Sequence, residues 1–304
     1  MSEKRRSKRL PYYERAQVPP PVELTTRDKQ IFETIYQYEG VLADYQLERL
    51  FFHSHRRMQG RMSLLFHAGY LNRFTRQQQA MYGFMAYFLD EKALNYLAAA
   101  QGVERKALQA RGRDERTALI PHDVKLNDVR ITIMQALQHL PQVQFVTWIN
   151  SRTFWAQHDT VEYTDTNQRK RKRYIRPDGY FHVMSPGVES PRHSRFLLEL
   201  DMRTEHNARF VVEKVLPGLA YIRSEVYRER FGANAGRWLV VTTGERRLAN
   251  MIVAAEKVGR VAKAFYFTTF DLATMPGAFF TQPIWYRPTF IEPTALFMSP
   301  SADG

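Results

Sequence analysis

Of 304 residues, 44 are Lys or Arg and 31 are Asp or Glu, which gives a formal net charge of +13, and 44% are hydrophobic. That length and composition suit one large domain or two with packed cores, and the positive excess attracts polyanions, nucleic acid above all. The absence of cysteine excludes disulfides, zinc ribbons and thiol catalysis, and no apolar run reaches the roughly 18 residues of a membrane-spanning helix. The basic N-terminus lacks the apolar stretch of a signal peptide, so the expected location is cytoplasmic and no membrane partner is expected.

Residues 1–23 read as a disordered basic arm. Lys4, Arg5, Arg6, Lys8 and Arg9 are followed by the spacer Pro19-Pro20-Pro21, an arm suited either to lie along phosphates or to solubilise the chain. Residues 24–102 read as one domain. Thr25 or Thr26 caps a helix to Tyr38 with Ile31, Phe32 and Ile35 inward, and Gly40 ends it. A short second helix carries Leu47, Leu50 and Phe51. Ser54 is the expected cap of a third, which runs to Ala68 with Met58, Met62, Leu65 and Phe66 inward and Arg56, Arg57, Gln59 and Arg61 outward. Gly69 stops it. A strand at Tyr70–Phe74, a polar turn at Thr75–Ala80 and a second strand at Tyr82–Leu89 follow, with Arg73, Arg76 and Gln77 to Gln79 on the hairpin. Asp90 caps a helix from Glu91 to Ala100, the candidate surface for a homodimer. Residues 103–120 are charged and read as a linker.

Residues 121–295 read as a second, α/β domain. His122–Leu140 has helical spacing of Leu126, Val129, Ile133 and Leu137, Val143–Ile149 is a strand, and Phe154–Gln168 is a hairpin or loop. Arg169, Lys170, Arg171, Lys172 and Arg173 form a run of five cations, placed to hold a phosphate backbone or simply to stay solvated. Beyond Met202 a helix spans Glu205–Phe231, kinked or interrupted at Pro217-Gly218. Then come a strand at Arg237–Thr243, a helix at Glu245–Val258 and a strand at Ala264–Thr269. Residues 296–304 are an expected frayed tail.

The second domain is organised by Tyr174–Glu205. Two apolar strands there hold Asp178, Glu199 and Asp201. A carboxylate in an apolar strand is costly unless paired, hydrogen-bonded or metal-bound. Glu199 and Asp201 share a face, and an antiparallel Asp178 strand beside them brings three carboxylates together, a donor set suited to Mg2+. The residues alone leave a second reading open: Asp178 caps a turn, and Glu199 and Asp201 pair with Arg203, Arg176 or nearby lysines. Other chemistries lack their residues. The nine histidines show no metal-ligand spacing, no Gly-rich phosphate loop or Gly-x-Ser-x-Gly elbow is present, and no His-rich metal triad accompanies the tyrosines as a relaxase needs.

Three helices and a hairpin, with Leu64-Leu65-Phe66-His67-Ala68-Gly69-Tyr70-Leu71 across the junction, resemble a winged helix-turn-helix, which implies a third helix that enters the DNA major groove. Pro177-Asp178 and Glu199-Leu200-Asp201 resemble the two halves of the PD-(D/E)XK nuclease-like motif, except that Asp201 stands where that family has a Lys. Lys214 is the candidate migrated replacement and Arg203 a weaker one. Both modules together, with Glu199-Leu200-Asp201-Met202-Arg203-Thr204-Glu205 and then Lys214 and Tyr221, resemble the replication-relaxation family of plasmids and other mobile elements. The resemblance implies a sequence-specific double-stranded DNA-binding protein in replication initiation, relaxation or its control. Replication or conjugation proteins are then expected partners, and no cofactor is required for binding. The alternative is a Mg2+-dependent DNA endonuclease with Asp178, Glu199 and Asp201 on the metal and Lys214 beside the attacking water; a third reading is a transcriptional repressor.

Overall fold

The computed structural model describes residues 10–108, 119–187, 190–202, 207–258 and 263–297 of a mixed α/β protein. Met1–Asn127 and Asp128–Gly304 form two compact units. The basic run at 4–9, most of the expected linker, Arg203, Thr204, Glu205 and the tail from residue 298 lie outside the described residues.

In the first unit, α1 (Thr26–Gln37) opens with a capping box: the Thr25 hydroxyl accepts from Asp28 N, and Thr25 N donates to Asp28 Oδ2 at 2.7 Å. Asp28 is fully buried and takes a second partner, Arg61. Burial alone would raise its carboxyl, but hydrogen bonds from Arg61 and Thr25 outweigh it and hold the group below the usual carboxylate range. Then come β1 (Leu42–Ala43), α2 (Asp44–Phe51), α3 (His55–His67) and β2 (Leu71–Arg73). Ser54 occupies the N-cap position of α3, but its side chain makes no capping bond, contrary to expectation. Gly69, at φ 85°, turns the chain out of α3 where a side chain would be strained.

The expected polar turn is a helix, α4 (Arg76–Tyr82). Thr75 and Gln78 cap each other, with Thr75 N donating to Gln78 Oε1 at 2.9 Å, and Gln, Ala and Met are good helix formers. Strand β3 (Ala86–Leu89) is therefore shorter than expected. It lies at the centre of an antiparallel sheet of order β1-β3-β2, and α5 (Glu91–Gln101) follows, capped by Asp90. Ile31, Phe32, Ile35, Leu47, Met58, Met62, Leu65, Phe74 and Phe88 are fully buried between sheet and helices. Thr75→Ala should cost about 1 kcal/mol, the usual worth of an N-cap, measured by urea unfolding of the full chain.

Residues 10–23 depart from the disordered arm expected of them. Tyr13 Oη donates to Gln79 at 2.8 Å, Arg15 donates to Phe66 O and ion-pairs with Asp90, and Ala16 N donates to His67 Nδ1 at 3.0 Å. The basic charge that suggested a free arm ends at Arg9, and the aromatic pair beyond it has a surface to pack on.

In the second unit, α6 (Ile120–Gln138), in which the division between the units falls, leads to β4 (Gln144–Asn150) and a helix the sequence reading missed, α7 (Ser151–Ala156). Strands β5 (Asp159–Thr164) and β6 (Lys170–Ile175) form a separate antiparallel pair, so the five-cation run is largely strand rather than loop. The turn between them is held by Asp165, whose Oδ1 accepts from Asn167 N and Arg169 N, both at 2.9 Å. Next come β7 (Gly179–Ser185), β8 (Arg192–Asp201), α8 (Asn207–Phe210), a π-helical turn (Val211–Val215), α9 (Leu216–Tyr221), α10 (Glu225–Phe231), β9 (Arg237–Thr242), α11 (Glu245–Glu256), β10 (Phe265–Thr269) and α12 (Phe270–Ala273).

Five strands form one sheet of order β10-β9-β8-β7-β4. β8, β9 and β10 are parallel, joined through helices as parallel strands must be, and β7 is antiparallel to both β8 and β4. The expected helix from Glu205 to Phe231 is interrupted, and one irregularity falls beside Pro217. Pro217 lies in the first turn of α9, where its missing N–H costs little, and the turn before it widens to π. The break comes after Tyr221, and Ser224 caps α10. Gly218 lets α9 rest on the sheet, because a Cβ there would meet Phe265 Cζ at 2.8 Å and Trp238 Nε1 at 3.0 Å. Leu197, Val215, Tyr221, Tyr227, Val240, Met251 and Phe267 are fully buried in this layer. The final segment packs on the unit: Trp285 is fully buried, and Phe297, within the expected frayed tail, stacks on Phe280.

Candidate nucleic-acid interface and acidic cleft

On α3 the helical period separates two faces. Met58, Met62 and Leu65 are buried, and Arg56, Arg57 and Gln59 are exposed. Gln59 is held by His55, Nε2 to Nε2, at 2.8 Å. Gly60 is on the exposed side too. Nothing lies within 4 Å of where its Cβ would be, so packing does not demand glycine there. A glycine on an outer helix face lowers helix propensity but permits close backbone approach by a partner, a signal the sequence reading passed over. Arg76 is exposed at the start of α4.

Two residues expected on this outer surface do other work. Arg61 Nε donates to Asp28 Oδ1 at 2.9 Å and its Nη2 to Glu23 O at 2.7 Å, because the buried Asp28 needs a counter-charge. Arg73 is only 1% exposed; its guanidinium lies 4.1 Å from the Phe66 ring centroid and 4.5 Å from that of Tyr12 and donates to Tyr12 O. Strand alternation turns it inward, and the segment before α1 covers it.

In the second unit an open cleft of about 370 Å³ lies among β6, the start of β7, β8 and the π-turn. The β7–β8 register, Gly179 opposite Leu198, places Asp178 beside the strand of Glu199. Asp178 N donates to Leu198 O at 2.9 Å, and Asp178 Oδ2 accepts from Leu200 N at 2.7 Å. Lys214, carried across by the π-turn, reaches Glu199 Oε1 at 2.6 Å. Asp178, Glu199 and Lys214 thus line one cleft, together with Lys172 and Arg173.

Asp201 does not join them. Its Oδ2 accepts from Thr242 Oγ1 at 2.7 Å, and Arg247 on α11 grips both of its oxygens, at 2.9 and 3.0 Å. Among the described residues no group of three or more His, Cys, Asp or Glu side chains is disposed to hold a metal ion. The five-cation run is divided as well. Arg171 pairs with Asp165 and Arg173 with Glu213, whereas Arg169, Lys170 and Lys172 are exposed. Glu213, which the sequence reading missed, also accepts from Arg209 at 2.6 Å. Burial would raise its carboxyl, but the Arg209 hydrogen bond and the Arg173 charge hold it below the ordinary range.

At the far end of β7, His182 Nε2 lies 2.9 Å from His193 Nδ1. Burial first, then the charge of Arg195, lowers His182 from 6.5 to about 4. The fold favours the neutral ring, so its contribution to stability is full above pH 6.5 and is lost as the pH falls toward 4. The melting temperature of the wild type should therefore drop more steeply across that window than that of His182→Gln.

A family model described as replication-relaxation matches residues 34–236, a span that includes α3 and most of the acidic cleft. No curated protein and no solved structure matches the chain.

Proposed function

Because the chain belongs to the replication-relaxation family, we propose that it is a sequence-specific double-stranded DNA-binding protein of a plasmid or other mobile element, acting in replication initiation or relaxation, or in its control. The observation that carries this reading is the outer face of α3. Arg56, Arg57 and Gln59 are exposed beside a glycine that packing does not require. Arginine and glutamine are suited to read base edges, and a bare glycine admits a phosphate backbone. The order α1-β1-α2-α3-β2-α4-β3, with β1 added to the β2–β3 pair, supports a winged helix with α3 in the major groove. α4, where a wing loop was expected, brings exposed Arg76 to the same module. The net charge of +13 supplies the long-range attraction. Duplex binding by the full chain, lost in Arg56→Ala/Arg57→Ala protein, tests the reading.

A second reading, a metal-dependent DNA endonuclease, is favoured by one observation: Asp178, Glu199 and Lys214 share a cleft with Lys172 and Arg173. The order α6-β4-β7-β8-helices-β9, with α7 and the separate β5–β6 pair inserted between β4 and β7, supports a PD-(D/E)XK-like core. Mg2+ is commonly held by one or two carboxylates plus water and substrate phosphates, so Asp178 and Glu199 fit it as a pair. They would hold the ion, which supplies Lewis-acid polarisation of a phosphodiester; Lys214 is the group that would orient water. Asp201 is tied to Arg247 and adds nothing to that set. Nicking of supercoiled plasmid with Mg2+ or Mn2+, lost in Asp178→Ala/Glu199→Ala, tests this reading. Its absence leaves the DNA-binding function standing.

A further inference from the structure

A second cleft of the same unit, about 470 Å³, has a lining of unusual charge. β8, β9 and β10 are parallel, and the first residue of β9, Arg237, pairs with Phe196 of β8, next to Arg195. That arrangement gathers Arg195 from β8, Arg237 from β9 and Lys263 just before β10. Arg223, from the turn after α9, and Arg287, from the segment after α12, complete five cations from five separate parts of the chain. Among the described residues no Asp or Glu lines the cleft.

Several arginines elsewhere in this unit have a carboxylate beside them: Arg173 and Arg209 share Glu213, Arg230 has Asp159, and Arg247 has Asp201. Among the described residues none of the five cleft cations has an ion-pair partner. Instead Arg237 lies 5.7 and 5.9 Å from the ring centroids of Phe196 and Tyr266, and Arg287 lies 4.3 and 5.0 Å from those of Phe290 and Tyr266, with its Nη2 donating to Lys263 O at 3.2 Å. Among the described residues Nε of Arg195 and Nε of Arg287 are buried and find no hydrogen-bond acceptor. Like charges gathered into one cleft repel one another, and buried N–H groups without acceptors are costly. The field is felt nearby, since Arg195 and His193 both add to the burial that keeps His182 neutral.

We propose that this cleft binds phosphate groups. Guanidinium forks match phosphate oxygens two at a time, and a ligand with more than one phosphate satisfies five cations where a single carboxylate does not. The source is either a nucleic-acid backbone or a free phosphorylated molecule. The site is separate from α3 and from the acidic cleft, and the proposal does not depend on either.

The test uses the full chain with inorganic pyrophosphate as probe, at ionic strength matched with chloride, and a duplex in parallel. Arg223 and Lys263 are exposed, so Arg223→Gln/Lys263→Gln should fold as wild type does, checked by circular dichroism and melting. Pyrophosphate binding should fall by about tenfold or more in that variant, the loss expected for charge-assisted hydrogen bonds, and stay unchanged in Arg56→Ala/Arg57→Ala. If the variant also loses duplex affinity and duplex displaces pyrophosphate, the source is the nucleic-acid backbone. If its duplex affinity is unchanged, the source is a free phosphorylated molecule. The proposal is overturned when the folded variant binds both pyrophosphate and duplex as wild type does. A wild type that binds pyrophosphate but no duplex would sink the DNA-binding reading and leave this one intact.

Discussion

Arg56→Ala/Arg57→Ala protein should lose duplex binding at physiological salt by about a hundredfold or more, because an arginine on a base edge is worth about 1–3 kcal/mol. The melting temperature should stay within a degree or two, since both side chains are exposed and the apolar face of α3 is untouched. If instead both arginines contact phosphates, the slope of log K against log salt should fall by roughly two, from about 0.9 per phosphate neutralised. Arg61→Ala is the informative control. It stands on the same helix and carries the same charge, but it leaves Asp28 buried without its counter-ion. Its effect should be loss of stability, with affinity for duplex restored in whatever fraction remains folded. Unchanged duplex binding in the double variant would remove α3 from the interface and with it the carrying observation for the proposed function.

Much of the first unit was legible because its signals are local. Thr25 with Asp28 and Asp90 with Glu91 are contacts within one turn, and Gly69 marks a helix end by its own backbone preference. Even the helix missed at Arg76–Tyr82 had its signal in Thr75 and Gln78; a polar composition was read as a turn where the spacing three apart means a capping box. The roles of Arg61 and Arg73 were not legible. Their partners, Asp28 and Tyr12, lie 33 and 61 residues away, and outward spacing on a helix says nothing of a buried carboxylate arriving from another element. In the second unit, strand alternation put Glu199 and Asp201 on one face, but that Asp178 adjoins their strand was a condition which only the β7–β8 pairing meets. Alternation was not enough to place Asp201, whose surroundings are set by Arg247, 46 residues on. The phosphate cleft was invisible for the same reason. Its five cations are scattered from Arg195 to Arg287, and only the parallel register of β8, β9 and β10 collects them.

Asp201→Ala should destabilise the protein by about 3–5 kcal/mol, the usual cost of removing one partner of a buried ion pair. The side chain of Asp201 is only 5% exposed and that of Arg247 12%, so the guanidinium left behind has little water to fall back on. Asp201→Ala/Arg247→Leu should recover most of the loss, since replacing both members of a buried pair with apolar groups is often near neutral. A carboxylate whose task is to hold a metal behaves the other way. In metal-free buffer its removal relieves repulsion from neighbouring carboxylates and leaves stability level or higher. Melting curves with and without Mg2+ separate the two roles. Stabilisation by Mg2+ should be equal in wild type and in Asp201→Ala, and any metal-dependent nicking of plasmid should survive Asp201→Ala but not Asp178→Ala/Glu199→Ala. Mg2+ stabilisation that disappears with Asp201 would return this carboxylate to the cleft and make the Arg247 pair a feature of the metal-free state alone.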